Sequence, residues 1–272
     1  MKRFISLLLV VTVVFVLTGC GEKLTPPTVR VLRVGMECAY APFNWQEDSE
    51  SDTNLPIENV PGFYAEGFDV QVAKKLGEQL GVEVVIVKLS WGGLISALNE
   101  GQIDMIIAGM ADTEVRKESV SFSTPYHLTE YAVLVNNDSE YVNATKLSDF
   151  AGASILGQKD TQYDVVIDQI PNVNHLPGVE NVPNMITRLE QRTTDGIVIG
   201  YDTALAYLDS HPTFSIVRFE DGQGFDIGFT GSCIGIRKDD TALLEEVNEA
   251  INTITLDVLN RMYEEAQANM PR

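Results

Sequence analysis

Residues 82–108 read VEVVIVKLSWGGLISALNEGQIDMIIA, and their order decides the fold. Val82–Leu89 is a β-branched run, the composition of a buried strand. Ser90 then stands before a helical face of Trp91, Leu94, Ile95 and Leu98, which Gly101 stops. Ile103–Ala108 is a second buried strand. Upstream, Val31–Met36 reads as a strand. Phe68–Leu80 reads as a helix with apolar residues at Val70, Val72, Ala73, Leu76 and Leu80, and Asp69 near its start as a cap. Together this βαβαβ order calls for a mostly parallel sheet with helices on its faces. Residues 47–62 between strand and helix, polar and without periodicity, read as a surface loop.

A second α/β set begins near Tyr131. Its expected strands are Tyr131–Val135, Ala153–Leu156, Val173–Leu176, Ile197–Ile199 and Phe214–Phe219, and its helices Thr161–Gln169, Asn181–Glu190 and Thr203–Leu208. A helical stripe of Leu243, Leu244, Val247, Ile251 and Ile254 follows, then a last helix over 256–266. Two α/β lobes that face each other form a cleft at their strand ends, able to close by hinge motion.

The N-terminus gives the address. Lys2 and Arg3 precede an apolar run from Phe4 to Leu17, too short to span a bilayer as a helix. The run ends in Leu17-Thr18-Gly19-Cys20, which resembles a bacterial lipobox, and lipid on Cys20 would tether the body to a membrane. Residues 1–19 are then a signal peptide and 20–28 a polar, proline-bearing tether. Without residues 1–19 the chain keeps 253 residues, with 17 basic against 39 acidic, a net charge of −22. Such a surface repels nucleic acid. Cys38 and Cys233 are read as buried thiols, although an oxidising compartment permits a bridge. His127, His175 and His211 lack ligand spacing, and no metal or cofactor is expected.

Candidate binding residues gather after the strands. Gly109-Met110-Ala111-Asp112-Thr113-Glu114-Val115-Arg116 leaves the strand ending at Ala108, with Thr113 and Glu114 opening a short helix. Arg116 there offers a planar fork for a carboxylate, or else pairs on the surface with Glu114 or Glu118. Tyr40, Phe43, Trp45 and Trp91 can wall a pocket, with Phe43 the better candidate for core packing. Glu37 closes the first strand, where a carboxylate meets a cationic group or stays solvated.

The runs LRVGMECAYAPFNW (32–45), GFDVQVAKKLGEQLGV (67–82) and residues 90–126 resemble bacterial extracellular solute-binding proteins of family 3, receptors of polar amino-acid ABC importers. The similarity continues through DTQYDVVIDQIPNV, TDGIVIGYDTALAYL and GSCIGIRKDD. The resemblance implies a type II periplasmic-binding-protein fold, two α/β lobes joined by a two-strand hinge. Lobe 1 would hold 29–128 plus 231–272 and lobe 2 129–230. It implies that Arg116 clamps a ligand α-carboxylate and that Thr161 adds a contact from lobe 2. Glu37, Tyr40 and Trp91 would touch the ligand side chain, and the backbone at Gly109 and Ala111 would help hold its α-groups.

Two departures stand out. Ala111 replaces the family's usual Ser or Thr, and Gly200 stands where an Asp or Glu binds the ligand ammonium. Asp202 or Asp160 would supply that charge, or the ligand lacks a standard α-amino group. The implied function is non-enzymatic: a monomeric, lipid-anchored extracytoplasmic receptor that hands a small amino acid or related carboxylate to an ABC permease and ATPase. Cyclohexadienyl dehydratases use the same fold, with Glu37 and Asp160 as the available acid–base groups. A sensor acting in trans is a third reading.

Overall fold

The computed structural model describes residues 30–228 and 231–271. The leader, Cys20 and the tether to residue 28 lie outside the described residues.

In chain order the first half runs β1 (Val31–Met36), β2 (Ala39–Tyr40), β3 (Asn44–Glu47), β4 (Leu55–Pro56), β5 (Tyr64–Glu66), α1 (Phe68–Leu80), β6 (Glu83–Lys88), α2 (Leu94–Asn99), β7 (Met105–Ile106), α3 (Glu114–Lys117) and β8 (Val120–Phe122). The α1 helix buries Val70, Val72, Ala73 and Leu76, one face at helical spacing. It stops at Gly81, whose left-handed backbone lets its N–H reach the Gly77 carbonyl. Asp69 does not cap it. The side chain is fully buried and accepts from the Tyr126 hydroxyl at 2.6 Å and from Asn44 Nδ2 at 2.8 Å. Ser90 makes no side-chain cap either, and Trp91–Gly93 form a 3₁₀ turn ahead of α2.

The second half runs β9 (Tyr131–Asn136), β10 (Ser154–Leu156), α4 (Gln162–Val165), β11 (Asn174–His175), α5 (Val182–Glu190), β12 (Gly196–Gly200), α6 (Tyr201–Leu208), β13 (Phe214–Val217), β14 (Gly235–Arg237), α7 (Thr241–Thr253) and α8 (Leu256–Asn269). Two five-stranded sheets result, ordered β6-β1-β7-β14-β8 and β11-β10-β12-β9-β13. Within the first, β6, β1 and β7 are parallel, while β14 enters antiparallel between β7 and β8. The second is likewise parallel through β11, β10 and β12, then antiparallel at β9 and β13.

Because β14 returns to the first sheet after β13 completes the second, the chain passes between the sheets twice. The two passages run side by side: Ser232 N–H donates to the His127 carbonyl at 2.8 Å, and Tyr126 N–H to the Ser232 carbonyl at 2.9 Å. Helices α7 and α8 then pack on α1.

Residues 47–62 are more than a loop. Leu55–Pro56 joins the small sheet β2-β3-β5-β4, and Ile57, 2% exposed, bridges to Ile86 at the edge of the first large sheet. Burial of that single isoleucine anchors an otherwise polar insertion. Cys38 and Cys233 are both buried, and no disulfide joins them. Burial pushes the Cys38 thiol up to about 12, so it packs as a small apolar group and is not a nucleophile at neutral pH.

Candidate functional site: a cleft between the two sheets

Side chains that follow β1, β6 and β7 meet the loop after β10 across a narrow cleft. Glu37, Tyr40, Trp91, Gly109, Ala111 and Arg116 line one wall, and Gln158, Thr161, Gln162 and Tyr163 the other. This is the strand-end position at which open parallel sheets take ligands.

Arg116 comes from the one-turn helix α3, whose cap is Thr113; the Thr113 hydroxyl accepts from Arg116 N–H at 3.4 Å. The guanidinium reaches inward. Nη1 donates to the Ala111 carbonyl at 2.9 Å, Nη2 to the Asp160 carbonyl at 3.3 Å, and the group lies 5.2 Å from the Trp91 ring centre. Glu114 is taken by Lys117 at 3.0 Å, so the surface pairing of Arg116 with Glu114 is not formed. Among the described residues no carboxylate forms an ion pair with Arg116, and burial pulls its pKa down. A half-buried guanidinium that meets carbonyl dipoles and a ring face has the chemistry to receive an anion.

Gly109 allows this wall to close up. Its φ of +61° is left-handed, and a Cβ there would stand 2.7 Å from Tyr40 Cε1. Tyr40 stacks on Phe43 with ring centres 4.7 Å apart, and Phe43, 2% exposed, serves mainly as core behind it. Ala111 adds no side-chain polar group, but its carbonyl steers Arg116.

Among the described residues Glu37 is the single carboxylate lining the cleft. It accepts from Gln158 Nε2, at 3.1 Å to one oxygen and 3.3 Å to the other. Burial, helped by Glu180 and opposed by Gln158 and Lys88, raises its pKa to about 7.

On the far wall, Thr161 caps α4. Its hydroxyl donates to the Gln158 carbonyl at 2.7 Å and accepts from Tyr163 N–H at 3.1 Å, which fixes the turn that presents Gln158 and Tyr163. The Tyr163 hydroxyl lies 2.7 Å from that of Tyr40, and Tyr40 also bonds Thr203 at 3.2 Å. Trp91 Nε1 donates to the Asp160 carbonyl at 3.0 Å. Four side chains of one wall thus bond the other directly.

The two acids expected to replace Gly200 lie elsewhere. Asp202 does not line the cleft; it sits on the first turn of α6 with its carboxylate 3.2 Å from His127 Nε2, beside a separate cavity lined by Leu128 and Leu256. The helix turn that points Thr203 toward Tyr40 carries Asp202 to the hinge side. Asp160 offers the cleft its carbonyl, not its carboxylate. At Gly200 itself a Cβ would meet the Tyr163 hydroxyl at 3.0 Å and Thr129 Oγ1 at 3.1 Å. Tyr163 therefore occupies the space where an acid would project. Tyr163, Gln158 and Tyr131 were not legible as site residues, since only the fold brings them to the cleft.

A two-sheet body with a doubly crossed hinge and a charged cleft defines a ligand receptor of the hinged binding-protein class. The model of bacterial extracellular solute-binding proteins, family 3, matches residues 32–266, and the chain belongs to that family. The family is one of solute receptors that work outside the cytoplasm. Among relatives, a probable histidine-binding protein of Campylobacter jejuni is 29% identical over 84% of this chain and 86% of its own. The arginine-binding extracellular protein ArtP of Bacillus subtilis is 26% identical over 92% of each chain. A crystal structure of the substrate-binding protein of an amino acid ABC transporter superposes with a TM-score of 0.72, at 29% identity, over 86% of this chain and 98% of that one.

Proposed function

We propose that this chain captures a small amino acid or a related carboxylate and delivers it to an ABC permease. One observation carries the reading: Arg116 is half-buried in the cleft with no carboxylate ion-paired to it among the described residues. A ligand carboxylate placed there would receive the guanidinium fork and remove the cost of an uncompensated charge. The names of the relatives above, binders of histidine and arginine, support an amino-acid ligand. The mechanism is population shift. Contacts between Tyr40 and Tyr163, and between Glu37 and Gln158, form only when the walls meet, so a ligand that touches both walls favours closure.

In this reading residues 1–19 are removed and lipid on Cys20 anchors the body through the tether 20–28. The protein acts as a monomer at the outer face of the membrane, with lobes at 29–128 plus 231–272 and at 129–230. In this reading the chain is a receptor and not an enzyme, in keeping with relatives that are binding proteins. A thermal-shift screen of amino acids, their decarboxylated amines and simple carboxylates tests the reading. Ligand at about 100 times its Kd adds about 2.7 kcal/mol of stability. Stabilisation by carboxylates and not by the matching amines is expected, and stabilisation by amines alone would overturn it.

A further inference from the structure

The charges of the cleft are few and separated. Among the described residues Arg116 is its one cation and Glu37 its one carboxylate. The groups that set the ionisation of Glu37 are Gln158, Glu180 and Lys88; those that act on Arg116 are its burial and Tyr131. No ion pair joins the two among the described residues. Both contact the loop after β10, Glu37 at the Gln158 side chain and Arg116 at the Asp160 carbonyl.

The wall beside Arg116 is neutral. It consists of Tyr131, Tyr163 and Thr129, with the Tyr131 and Tyr163 rings 4.8 Å apart. The Tyr163 hydroxyl is engaged by Tyr40, and Tyr40 by Thr203. At Gly200 an added Cβ would press on the Tyr163 hydroxyl at 3.0 Å and on Thr129 Oγ1 at 3.1 Å, so a carboxylate side chain there needs both to shift. An ammonium on the same carbon as the ligand carboxylate would sit against these hydroxyls without an anion, a costly burial.

Resting on the reading of Arg116 as the carboxylate site, we infer that the cleft selects an ω-amino or ω-guanidino carboxylic acid without a free α-ammonium, its carboxylate on Arg116 and its cationic end on Glu37. The ligand is then net neutral, matching one protein cation and one protein anion. Trp91 and Tyr40 flank the methylene chain between the two ends. Selectivity against dibasic α-amino acids follows from the missing second anion.

Titration calorimetry of the full chain in detergent tests this with two matched pairs: L-arginine against 5-guanidinopentanoate, and L-ornithine against 5-aminopentanoate. The desamino member of at least one pair is expected to bind tenfold or more tightly than its α-amino parent. The Glu37→Gln variant should lose that binding by a similar factor. Equal or tighter binding of the α-amino parent in both pairs overturns the inference, as does failure of both desamino acids to bind. The underlying carboxylate reading survives such a result when Arg116→Ala weakens the α-amino parent, and falls when it does not. A Gly200→Asp, Tyr163→Ser double variant supplies the converse: it should recover affinity for L-arginine, and no gain in a folded variant counts against the role assigned to Tyr163.

Discussion

The hydroxyl of Tyr40 lies 2.7 Å from that of Tyr163, joining a strand-end residue of the first half of the chain to the α4 turn of the second. Removing one hydroxyl leaves its partner under-satisfied in a buried place, at a cost of about 1–3 kcal/mol to the closed state. Tyr163→Phe should therefore raise Kd about 5- to 100-fold, mainly through faster release. Tyr40→Phe should do the same, and the double variant should cost less than the two added together. Stopped-flow release rates check this; strictly additive effects would separate the two hydroxyls.

Glu37 makes stability fall as pH rises. Its folded pKa of about 7 lies above the ordinary value of 4.5, so below 4.5 both states hold the proton. Between about 4.5 and 7 the unfolded chain releases it first, and stability declines until the folded group also ionises. Asp69, raised to about 6 by burial, acts in the same direction. Glu37→Gln should remove its share, gaining up to about 3 kcal/mol over the parent at pH 8 relative to pH 4. Melting curves across that range decide it, and parallel profiles would refute the assignment.

Much of this architecture is written in local pattern. The α1 and α7 helices each carry an apolar stripe, β1 alternates about Arg33 and β9 is apolar through Val135, so their places can be read directly. The small sheet cannot: β2, β4 and β5 have two or three residues each, too few for alternation to register, and only packing against Ile57 and α1 orders them. Likewise β14 is three residues long and is defined by its place between β7 and β8. At the site, Arg116, Glu37, Tyr40 and Trp91 were legible because each follows a recognisable strand. Asp202 was misplaced because sequence distance from Gly200 gives no side-chain direction, and a helix start rotates successive residues by about 100°.

Gly109→Ala should disturb both backbone and cleft. The left-handed φ and the 2.7 Å approach to Tyr40 Cε1 together cost about 1–3 kcal/mol. A lower Tm with weakened ligand binding is expected; an unchanged Tm would show that Tyr40 moves aside freely.

Trp91→Ala removes the ring beneath Arg116 and the bond to the Asp160 carbonyl. The ring is only partly buried, so the fold should hold while affinity drops roughly tenfold, in line with about 1–2 kcal/mol for a cation–π contact plus a hydrogen bond. Calorimetry with circular dichroism separates the two effects, and loss of folded signal would make Trp91 a core residue.

The most direct measurement is ligand titration of Arg116→Ala beside Arg116→Lys, using whichever carboxylate stabilises the parent. The account expects a loss of at least 100-fold for alanine, on the order of 3 kcal/mol for an unpaired buried carboxylate, and a partial loss for lysine, which keeps the charge without the fork. Unchanged affinity in Arg116→Ala would contradict the carboxylate site on which the functional reading stands.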